Sequence, residues 1–201
     1  MHRQGIKNFP YYLGIRSLAD IATPADRVCV LNIMGGESRQ VTPVSHAFSD
    51  GNVVFGTSPG RAGQMLKTPV GDIPVFNNVR EGLDAGHAFN TGVVYLPPSG
   101  VRDGVAELIR VNPDLEKIVI ITEKIAIHDA REIRAMAQAN GVDIIGGNCL
   151  GVADSWNRVR IGGALGGDHP EESLIKGSVA IFSNSGGFTT TIAQYLATAG
   201  W

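Results

Sequence analysis

Residues 183–187 combine two serines, an asparagine and two adjacent glycines. They follow an apolar run and precede a stretch of helical composition, so free backbone N–H groups and the positive end of a helix dipole would meet there. Such a position attracts a phosphate or a carboxylate, and glycine lets the anion come close. We therefore predict an anion site in this loop.

Two other interpretations of this segment stay open. It is also the pattern of an ordinary capped helix start that binds nothing. In addition, Ser185 between Asn184 and Gly186 approaches the strand-turn-helix elbow that carries the serine nucleophile of α/β hydrolases. Those enzymes place the acid and the histidine after the serine, whereas no Asp, Glu or His follows Ser185. The nucleophile is therefore the weakest of the three interpretations.

The loop at residues 34–40 has adjacent glycines but lacks the G-x-G-x-x-G spacing of a dinucleotide-binding turn. An NAD site also requires a carboxylate about 20 residues further on, at the end of the second strand. The loop found there, residues 56–61, contains no acid and one guanidinium, that of Arg61. A cation suits a ribose that carries a phosphate, as in NADP or coenzyme A. A solvated Arg61 on a plain turn explains the loop equally well.

These loops must be positioned by the elements between them. Short β-branched apolar runs each stop at a loop of Gly, Ser, Pro or Asn, and most of those loops then open a helix. The runs are residues 28–33, 53–55, 93–96, 118–121, 142–145 and 179–182. This alternation predicts an α/β fold with a Rossmann-like parallel sheet, in which ligands bind at the carboxyl ends of the strands.

Start and stop signals predict the helices between these runs. The start signals are Thr42 with Pro43, Asn77, and Ser99, and the stop signals are Gly51 and Gly141. They indicate helices beginning at Thr42 and over residues 79–85, 101–111 and 127–140. The alternation closes near residue 152, and residues 153–177 read as a linker or irregular crossover.

We therefore predict three parts in the chain. Residues 1–25 form an N-terminal extension of open role, and residues 26–155 form one nucleotide-binding-type domain. Residues 156–201 are expected to hold a linker and then the first strand and helix of a second, flavodoxin-like α/β domain that is truncated here.

Bulk properties exclude several classes of protein. The formal net charge is −2, so no broad basic field favours nucleic acid or an anionic membrane as a partner. No apolar run approaches the roughly 20 residues needed to cross a bilayer, and no signal peptide is evident, so we expect a cytoplasmic protein. Cys29 and Cys149 are too dispersed for a zinc site or a disulfide framework, and the five histidines lack metal-ligand spacing.

Several short motifs occur in a characteristic order. They are residues 56–63 (GTSPGRAG), 73–79 (IPVFNNV), 94–98 (VYLPP), 121–123 (ITE), 145–152 (IGGNCLGV), 160–162 (RIG) and 183–186 (SNSG). Together they resemble the CoA-binding domain of the succinyl-CoA synthetase α subunit. The Ser-Gly-Gly form and the insertion at residues 166–172 look nearer to ATP citrate lyase and citryl-CoA synthetase.

The resemblance implies an NDP-forming acid–thiol ligase. In that family a phosphoryl group passes through a phosphohistidine to a carboxylic acid, and the CoA thiol attacks the acyl phosphate. Coenzyme A would bind here, while an ATP-grasp β subunit or domain would supply ATP or GTP with Mg. The resemblance also implies a small carboxylic acid as substrate and an oligomeric assembly.

Carried over by position, the resemblance assigns two sets of site residues. The CoA contacts would be Gly36, Ser38, Arg61, Ile121, Thr122 and Glu123, and the phosphate-facing helix start would be Ser185, Gly186 and Gly187. No counterpart of the family's phosphohistidine motif is found, so we expect no catalytic residue in this chain and no turnover by it alone.

The sequence departs from the family pattern at three places. The first loop is Gly-Gly-Glu-Ser-Arg-Gln where the family has a Thr-Gly-x-Gln-Gly type, Arg61 replaces a lysine, and Thr190 with Thr191 replaces a Tyr-Glu pair. Two alternatives are therefore kept. One is a stand-alone CoA- or acyl-CoA-binding module without catalysis, and the other is an NADP-type oxidoreductase.

Overall fold

A seven-stranded sheet forms the centre of the protein. The computed structural model describes residues 20–201 and, before them, the backbone of an antiparallel pair, β1 (His2–Ile6) and β2 (Phe9–Tyr12). The strands of the large sheet are β3 (Val28–Leu31), β4 (Val53–Thr57), β5 (Met65–Leu66), β6 (Ile73–Phe76), β7 (Thr91–Val94), β8 (Lys117–Ile120) and β9 (Asp143–Gly146). Their spatial order is β5-β6-β4-β3-β7-β8-β9, and only β5 runs antiparallel to its neighbour.

Among the described residues six α-helices accompany the sheet, and the first four of them connect parallel strands, which confirms the predicted α/β, Rossmann-like fold. They are α1 (Gly36–Phe48), α2 (Val79–Asp84), α3 (Val101–Val111), α4 (Ile127–Asn140), α5 (Pro170–Ser173) and α6 (Gly186–Ala199). The predicted helix over residues 127–140 is confirmed, and Gly141 ends it in the left-handed conformation, with φ 68°. Among the described residues, no helix is both long enough and apolar enough to cross a membrane.

The helix starts differ from three of the predicted signals. Helix α1 begins at Gly36 and not at Thr42, so Pro43 lies inside it. Strand β3 ends at Leu31, and a short turn leads from it directly into the helix. The sequence signals at Thr42 and Pro43 had indicated a later start. Asn78, not Asn77, caps α2, and α3 follows a 3₁₀ turn (Pro98–Gly100) without a side-chain cap from Ser99.

Both faces of the sheet are buried. Every residue of β3, β4, β7 and β8 is buried, as expected for parallel strands covered on both sides, whose sequences read as continuous apolar runs. One core cluster joins the sheet to α2, α3 and α4, for example through Val79, Leu108 and Ile133. The other core cluster includes Ile33 and Val75. The strands are therefore rigid supports for the loops at their ends.

The predicted linker at residues 153–177 contains regular structure. An antiparallel hairpin, β10 (Val152–Asp154) and β11 (Val159–Ile161), lies against α1, and Val159 and Ile161 enter the second core cluster. The predicted domain boundary after residue 155 falls in the turn of this hairpin. Strand β11 was not predicted, because its central residue is Arg160 and a charged residue usually indicates an exposed position.

The sixth predicted strand, residues 179–182, is not formed. These residues are not assigned to any strand, and the side chains of Val179 and Phe182 are 49% and 68% exposed. A β-strand needs a neighbouring strand to satisfy its backbone groups, and within residues 20–201 no strand lies beside this segment. The predicted strand at residues 179–182 was therefore wrong for the described structure, while the second domain stays a prediction.

Candidate functional site

The parallel strands end level with one another along one edge of the sheet. The register pairs the last residues of neighbouring strands in the order Phe76, Thr57, Leu31, Val94, Ile120 and Gly146. The loops that follow these residues therefore share one edge. Strands β3 and β7 are neighbours there, while the chain continues from β3 to β4 on one side and from β7 to β8 on the other. This is the topological switch point, where open α/β sheets bind their ligands.

The loops after β3 and β7 are joined directly at the switch point. Asn32 has a left-handed backbone conformation, with φ 62°, and its Nδ2 donates a 2.9 Å hydrogen bond to the carbonyl oxygen of Tyr95. A Cβ atom at Gly35 would lie only 2.6 Å from this Nδ2 atom, so a glycine is required beside the amide. The two loops consequently hold a fixed distance from each other.

The start of α1 presents bare backbone. Gly35 occupies the N-cap position without a side-chain cap, and Gly36 begins the helix with no atom within 4 Å of where its Cβ would be. The Ser38 hydroxyl is buried and donates to the carbonyl oxygens of Asn32 and Gly35, at 2.5 and 3.3 Å. Ser38 therefore shapes the turn with its side chain, while open space in front of Gly36 and the helix dipole suit an anion.

Arg61 lies in the loop after β4, next to the α1 start. The Ser58 hydroxyl accepts a 3.1 Å hydrogen bond from the Met34 N–H, which fastens this loop to the loop after β3. The Arg61 N–H in turn donates to the Ser58 carbonyl oxygen at 3.0 Å. Within residues 20–201 the exposed Arg61 guanidinium has no hydrogen bond or ion pair, so its charge is available to a ligand.

The residues after β8 differ in what they offer. Ile121 is buried and its N–H donates to the Val94 carbonyl oxygen, while the Thr122 hydroxyl donates a 2.6 Å bond to the Leu96 carbonyl oxygen. The Asn148 N–H donates to the Thr122 carbonyl oxygen at 3.0 Å, and Glu123 is exposed. Of the three predicted residues, only Glu123 is exposed with a side chain free of such loop-to-loop bonds.

Tyr95 connects the switch point to the glycine-rich residues after β11. Its hydroxyl donates a 3.1 Å hydrogen bond to the Gly162 carbonyl oxygen. Burial raises the pKa of the Tyr95 phenol above its ordinary value, the Glu37 carboxylate raises it further, and the Arg160 guanidinium opposes both. Tyr95 is therefore a neutral donor at all ordinary pH values.

The predicted phosphate-binding residues start another helix. Ser185 caps α6, and its hydroxyl accepts a 3.4 Å hydrogen bond from the Phe188 N–H, while Gly187 has open space around its Cβ position. Gly186 and Asn148 line the same groove, whose volume is about 780 Å³. Hydrogen bonds between loops thus connect the segments that contain Gly36, Ser38, Arg61 and Thr122. The α6 start lies across the groove from the loop after β9, which contains Asn148.

Comparison with known proteins assigns the strand-tip site to a family. Residues 33–124 match the model of the CoA binding domain. This segment is similar to a CoA binding domain and is called the CoA-binding domain below. All six predicted CoA contacts, including Arg61 and Glu123, lie inside this domain, whereas Ser185, Gly186 and Gly187 lie outside it.

Similarity to curated proteins extends beyond residues 33–124. The chain is 30% identical over 179 residues to the ADP-forming sulfoacetate-CoA ligase subunit SqwL of an Acholeplasma species, covering 87% of this chain and 55% of the relative. It is 30% identical over 149 residues to the ADP-forming succinate–CoA ligase α subunit of Methanothermobacter thermautotrophicus, covering 74% and 46%. The chain thus spans about half the length of the curated relatives that it matches.

Solved structures show the same fold around the CoA-binding domain. ATP citrate lyase from Methanothrix soehngenii, in complex with citrate and coenzyme A, superposes with a TM-score of 0.72 at 18% identity, covering 90% of this chain and 30% of that chain. A dinucleotide-forming acetyl-coenzyme A synthetase from Ca. Korarchaeum cryptofilum gives a TM-score of 0.62 at 13% identity, covering 92% of this chain and 37% of that chain. The resemblance to succinyl-CoA synthetase α subunits and their CoA-binding domain is therefore confirmed, and the likeness to ATP citrate lyase is one of fold.

Sequence reasoning missed several residues that build the CoA-binding domain's site. Asn32 and Tyr95 are 63 positions apart, so nothing in the sequence indicates their hydrogen bond. Asn32 carried one usable signal, since asparagine directly after a strand often adopts a left-handed conformation. Arg160 lies in the motif of residues 160–162 and Thr190 at a departure from the family pattern, but their contacts with the glycine-rich residues depend on the fold.

Proposed function

We propose that this chain is the CoA-binding portion of an NDP-forming acyl-CoA synthetase of the succinyl-CoA synthetase or ATP citrate lyase type. The observation that carries the proposal is the open backbone at Gly36 and the unpaired Arg61 in two loops that are fastened together at the same sheet edge, inside the segment that matches the CoA binding domain. Names of the relatives, which include ADP-forming CoA ligase subunits, support the ligase context.

The α1 start would hold the pyrophosphate of CoA. Backbone N–H groups at Gly36 and Ser38 are not used by a capping side chain, and no Cβ atom at Gly36 obstructs an approaching phosphate. Arg61 would pair with the phosphate on the CoA ribose. A guanidinium can donate two parallel hydrogen bonds to a phosphate, which a lysine cannot.

The residues after β8 would border the rest of the ligand. Ile121 and Thr122 would contribute a fixed edge, because their polar groups are already bonded to the loop after β7, and Glu123 would face the ligand with its carboxylate. Ser185, Gly186 and Gly187 would receive a phosphate at the start of α6. The bound CoA would supply the thiol nucleophile, and this chain's residues would orient it.

Other parts of the reaction are assigned to partners. Within residues 20–201 no group of three or more His, Cys, Asp or Glu side chains is arranged to hold a metal ion. The names of the relatives, which include subunits of ADP-forming CoA ligases, support placing ATP or GTP with Mg on an ATP-grasp β subunit or domain, which would phosphorylate a carboxylic acid to the acyl phosphate that CoA attacks. We retain residues 26–155 as the CoA-binding part of a cytoplasmic, oligomeric enzyme.

The second candidate is a CoA- or acyl-CoA-binding module without catalysis. It is favoured by the network of bonds that commits Ser38 and Thr122 to the loops, since such a site binds without supplying a reactive side chain. An NADP-type oxidoreductase is the third candidate, and it also uses a cation at the position of Arg61.

Isothermal titration calorimetry with CoA, dephospho-CoA, pantetheine and NADPH tests these candidates. We expect wild type to bind CoA, and Arg61→Ala to weaken CoA by about 1.5–3 kcal/mol, which is the value of a charge-assisted hydrogen bond, with a smaller loss for the two ligands that lack the ribose phosphate. Arg110→Ala, an exposed arginine at the far end of α3, is the matched control. Equal losses for all three ligands would remove Arg61 from the site, and binding of NADPH without CoA would overturn the CoA proposal.

A further inference from the structure

The glycine-rich segment, residues 162–167, lies between the strand tips that would bind CoA and the start of α6 that would receive a phosphate. It runs from β11 to α5 and contains four glycines among six residues. One end lies beside the switch point and the other beside α6. The side chains that contact it come from the loop after β7, from β11, from α5 and from α6.

At the switch-point end, the segment is bound to the loop after β7. The Tyr95 hydroxyl donates to the Gly162 carbonyl oxygen at 3.1 Å. Gly162 has φ 95°, and a Cβ atom there would lie 3.0 Å from Ile121 Cδ1, so the backbone packs directly on the residue that follows β8. A displacement of Gly162 would therefore press on the strand tips.

At the other end, the segment is bound to the helices that follow. The Gly166 N–H donates a 3.3 Å hydrogen bond to the Thr190 hydroxyl of α6. The Ser173 hydroxyl of α5 donates to the Gly166 carbonyl oxygen at 3.2 Å. Thr190 lies one turn after the Ser185 cap, so the position of the α6 start depends on where Gly166 is held.

Arg160 makes the segment between these ends rigid. Its guanidinium is buried, with a residue exposure of 1%, and donates from Nη2 to the Gly163 carbonyl oxygen at 3.0 Å and from Nη1 to the Gly167 carbonyl oxygen at 3.1 Å. A planar guanidinium fixes both carbonyl groups relative to each other. Movement at one end of the segment is therefore transmitted to the other end.

We propose that Tyr95 and Thr190 are positioning residues that couple the CoA-binding strand tips to the start of α6 through the glycine-rich segment. This inference rests on the proposed function, because the coupling would keep the phosphate-receiving start of α6 at a fixed position relative to bound CoA. Its physical content, a mechanical connection between the two places, is measurable without CoA.

Hydrogen exchange followed by mass spectrometry tests the connection itself. Tyr95→Phe removes one hydroxyl far from α6, and we expect amides of residues 162–167 and of the first turns of α6 to exchange about two- to tenfold faster, the ratio that corresponds to one neutral hydrogen bond. Tyr195→Phe is the matched control, because Tyr195 is 71% exposed on α6 itself. Unchanged exchange at α6 in Tyr95→Phe would overturn the connection.

CoA titration tests what the connection is for. Thr190→Val is expected to weaken CoA binding about two- to tenfold, although it lies outside the CoA-binding domain, whereas Thr191→Val, the exposed neighbour, should bind as wild type does. The double variant Tyr95→Phe with Thr190→Val should lose no more than the larger single loss. Equal affinities of Thr190→Val and Thr191→Val would overturn the coupling to CoA. Failure of wild type to bind CoA, with the exchange result as expected, would overturn the proposed function and leave the connection standing.

Discussion

Lys117 Nζ lies 2.8 Å from Asp26 Oδ1, and both side chains are almost completely buried. This ion pair joins the segment before β3 to the first residue of β8. The Thr91 hydroxyl donates to Asp26 Oδ1 at 3.0 Å, and the Thr23 N–H donates to Asp26 Oδ2 at 2.7 Å. The pair closes the end of the sheet opposite to the candidate site.

Breaking this pair should destabilise the fold strongly. In Asp26→Asn the Lys117 ammonium stays buried without its counter-charge, so we expect the free energy of unfolding to fall by about 3–5 kcal/mol. Urea unfolding followed by circular dichroism measures the change. Asp72→Asn is the control, because the partner of Asp72, Lys67, is 82% exposed and a surface pair contributes less than about 1 kcal/mol. Similar losses in the two variants would contradict the role given to burial.

His46 should make stability depend on pH. Burial lowers the pKa of His46 below 6.5, and the nearby Arg27 lowers it further, while a hydrogen bond with the Gly71 backbone opposes both. Its Nδ1 accepts the Val53 N–H at 3.0 Å and must stay unprotonated to do so.

Because the folded-state pKa lies below that of the unfolded chain, this contribution is complete above pH 6.5 and is lost as the pH falls from 6.5 through the folded-state pKa. Unfolding free energies at about pH 7.5 and about pH 5.5 should therefore differ more for wild type than for His46→Asn, whose amide oxygen can accept the same N–H without titrating. An equal pH dependence of the two proteins would exclude His46 as the cause.

The two thiols should differ in reactivity. Burial raises the pKa of the Cys29 thiol well above its ordinary value, and Glu107 adds to the effect, so little thiolate forms in the folded protein. Cys149 is only half-buried, in the loop after β9. We expect a thiol reagent such as DTNB to label Cys149 first and Cys29 only on unfolding. Cys149→Ser should remove the fast phase, and a fast phase that persists in this variant would contradict the assignment.

Gly36→Ala should separate stability from binding. No atom lies within 4 Å of the Cβ position, so the substitution costs the fold little, and alanine favours the helix. The added methyl group would stand where the pyrophosphate approaches, and we expect CoA affinity to fall by about tenfold, or 1.4 kcal/mol. Gln138→Ala, an exposed position near the end of α4 and away from the strand tips, is the control for the general effect of alanine in a helix. Calorimetry and thermal unfolding measure the two quantities, and unchanged CoA affinity would place the pyrophosphate elsewhere.

The sequence predicted five of the seven strands of the sheet, and four of these, β3, β4, β7 and β8, are buried throughout. It missed β5, which has only two residues, and β6, whose apolar run is interrupted by Pro74. Continuous β-branched runs such as residues 118–121 are typical of parallel strands that are covered on both faces. The run at residues 179–182 looks the same locally but lacks a neighbouring strand, and a strand cannot be recognised by its own residues alone. Strand β11 was missed because its central residue, Arg160, suggested an exposed position. Arg160 is buried only because the carbonyl groups of Gly163 and Gly167 accept its hydrogen bonds, and the sequence does not show these contacts.

The candidate site was predictable only in part. Gly36 and Arg61 could be chosen because loops after parallel strands share one edge, whatever the details of the fold. The inward direction of the Ser38 hydroxyl could not be predicted, since it depends on the left-handed turn at Asn32. Bonds between distant loops, such as that from Tyr95 to Gly162, depend on the tertiary arrangement of both.

The hydrogen bond from Asn32 to Tyr95 sets the width of the crevice at the switch point before any ligand arrives. A molecule that enters there does not have to order the loops, so little conformational entropy is lost on association. A rigid crevice of this kind discriminates between ligands by their shape and charge. Selection between competing cofactors should therefore be decided at the first encounter, and not by a rearrangement that follows it.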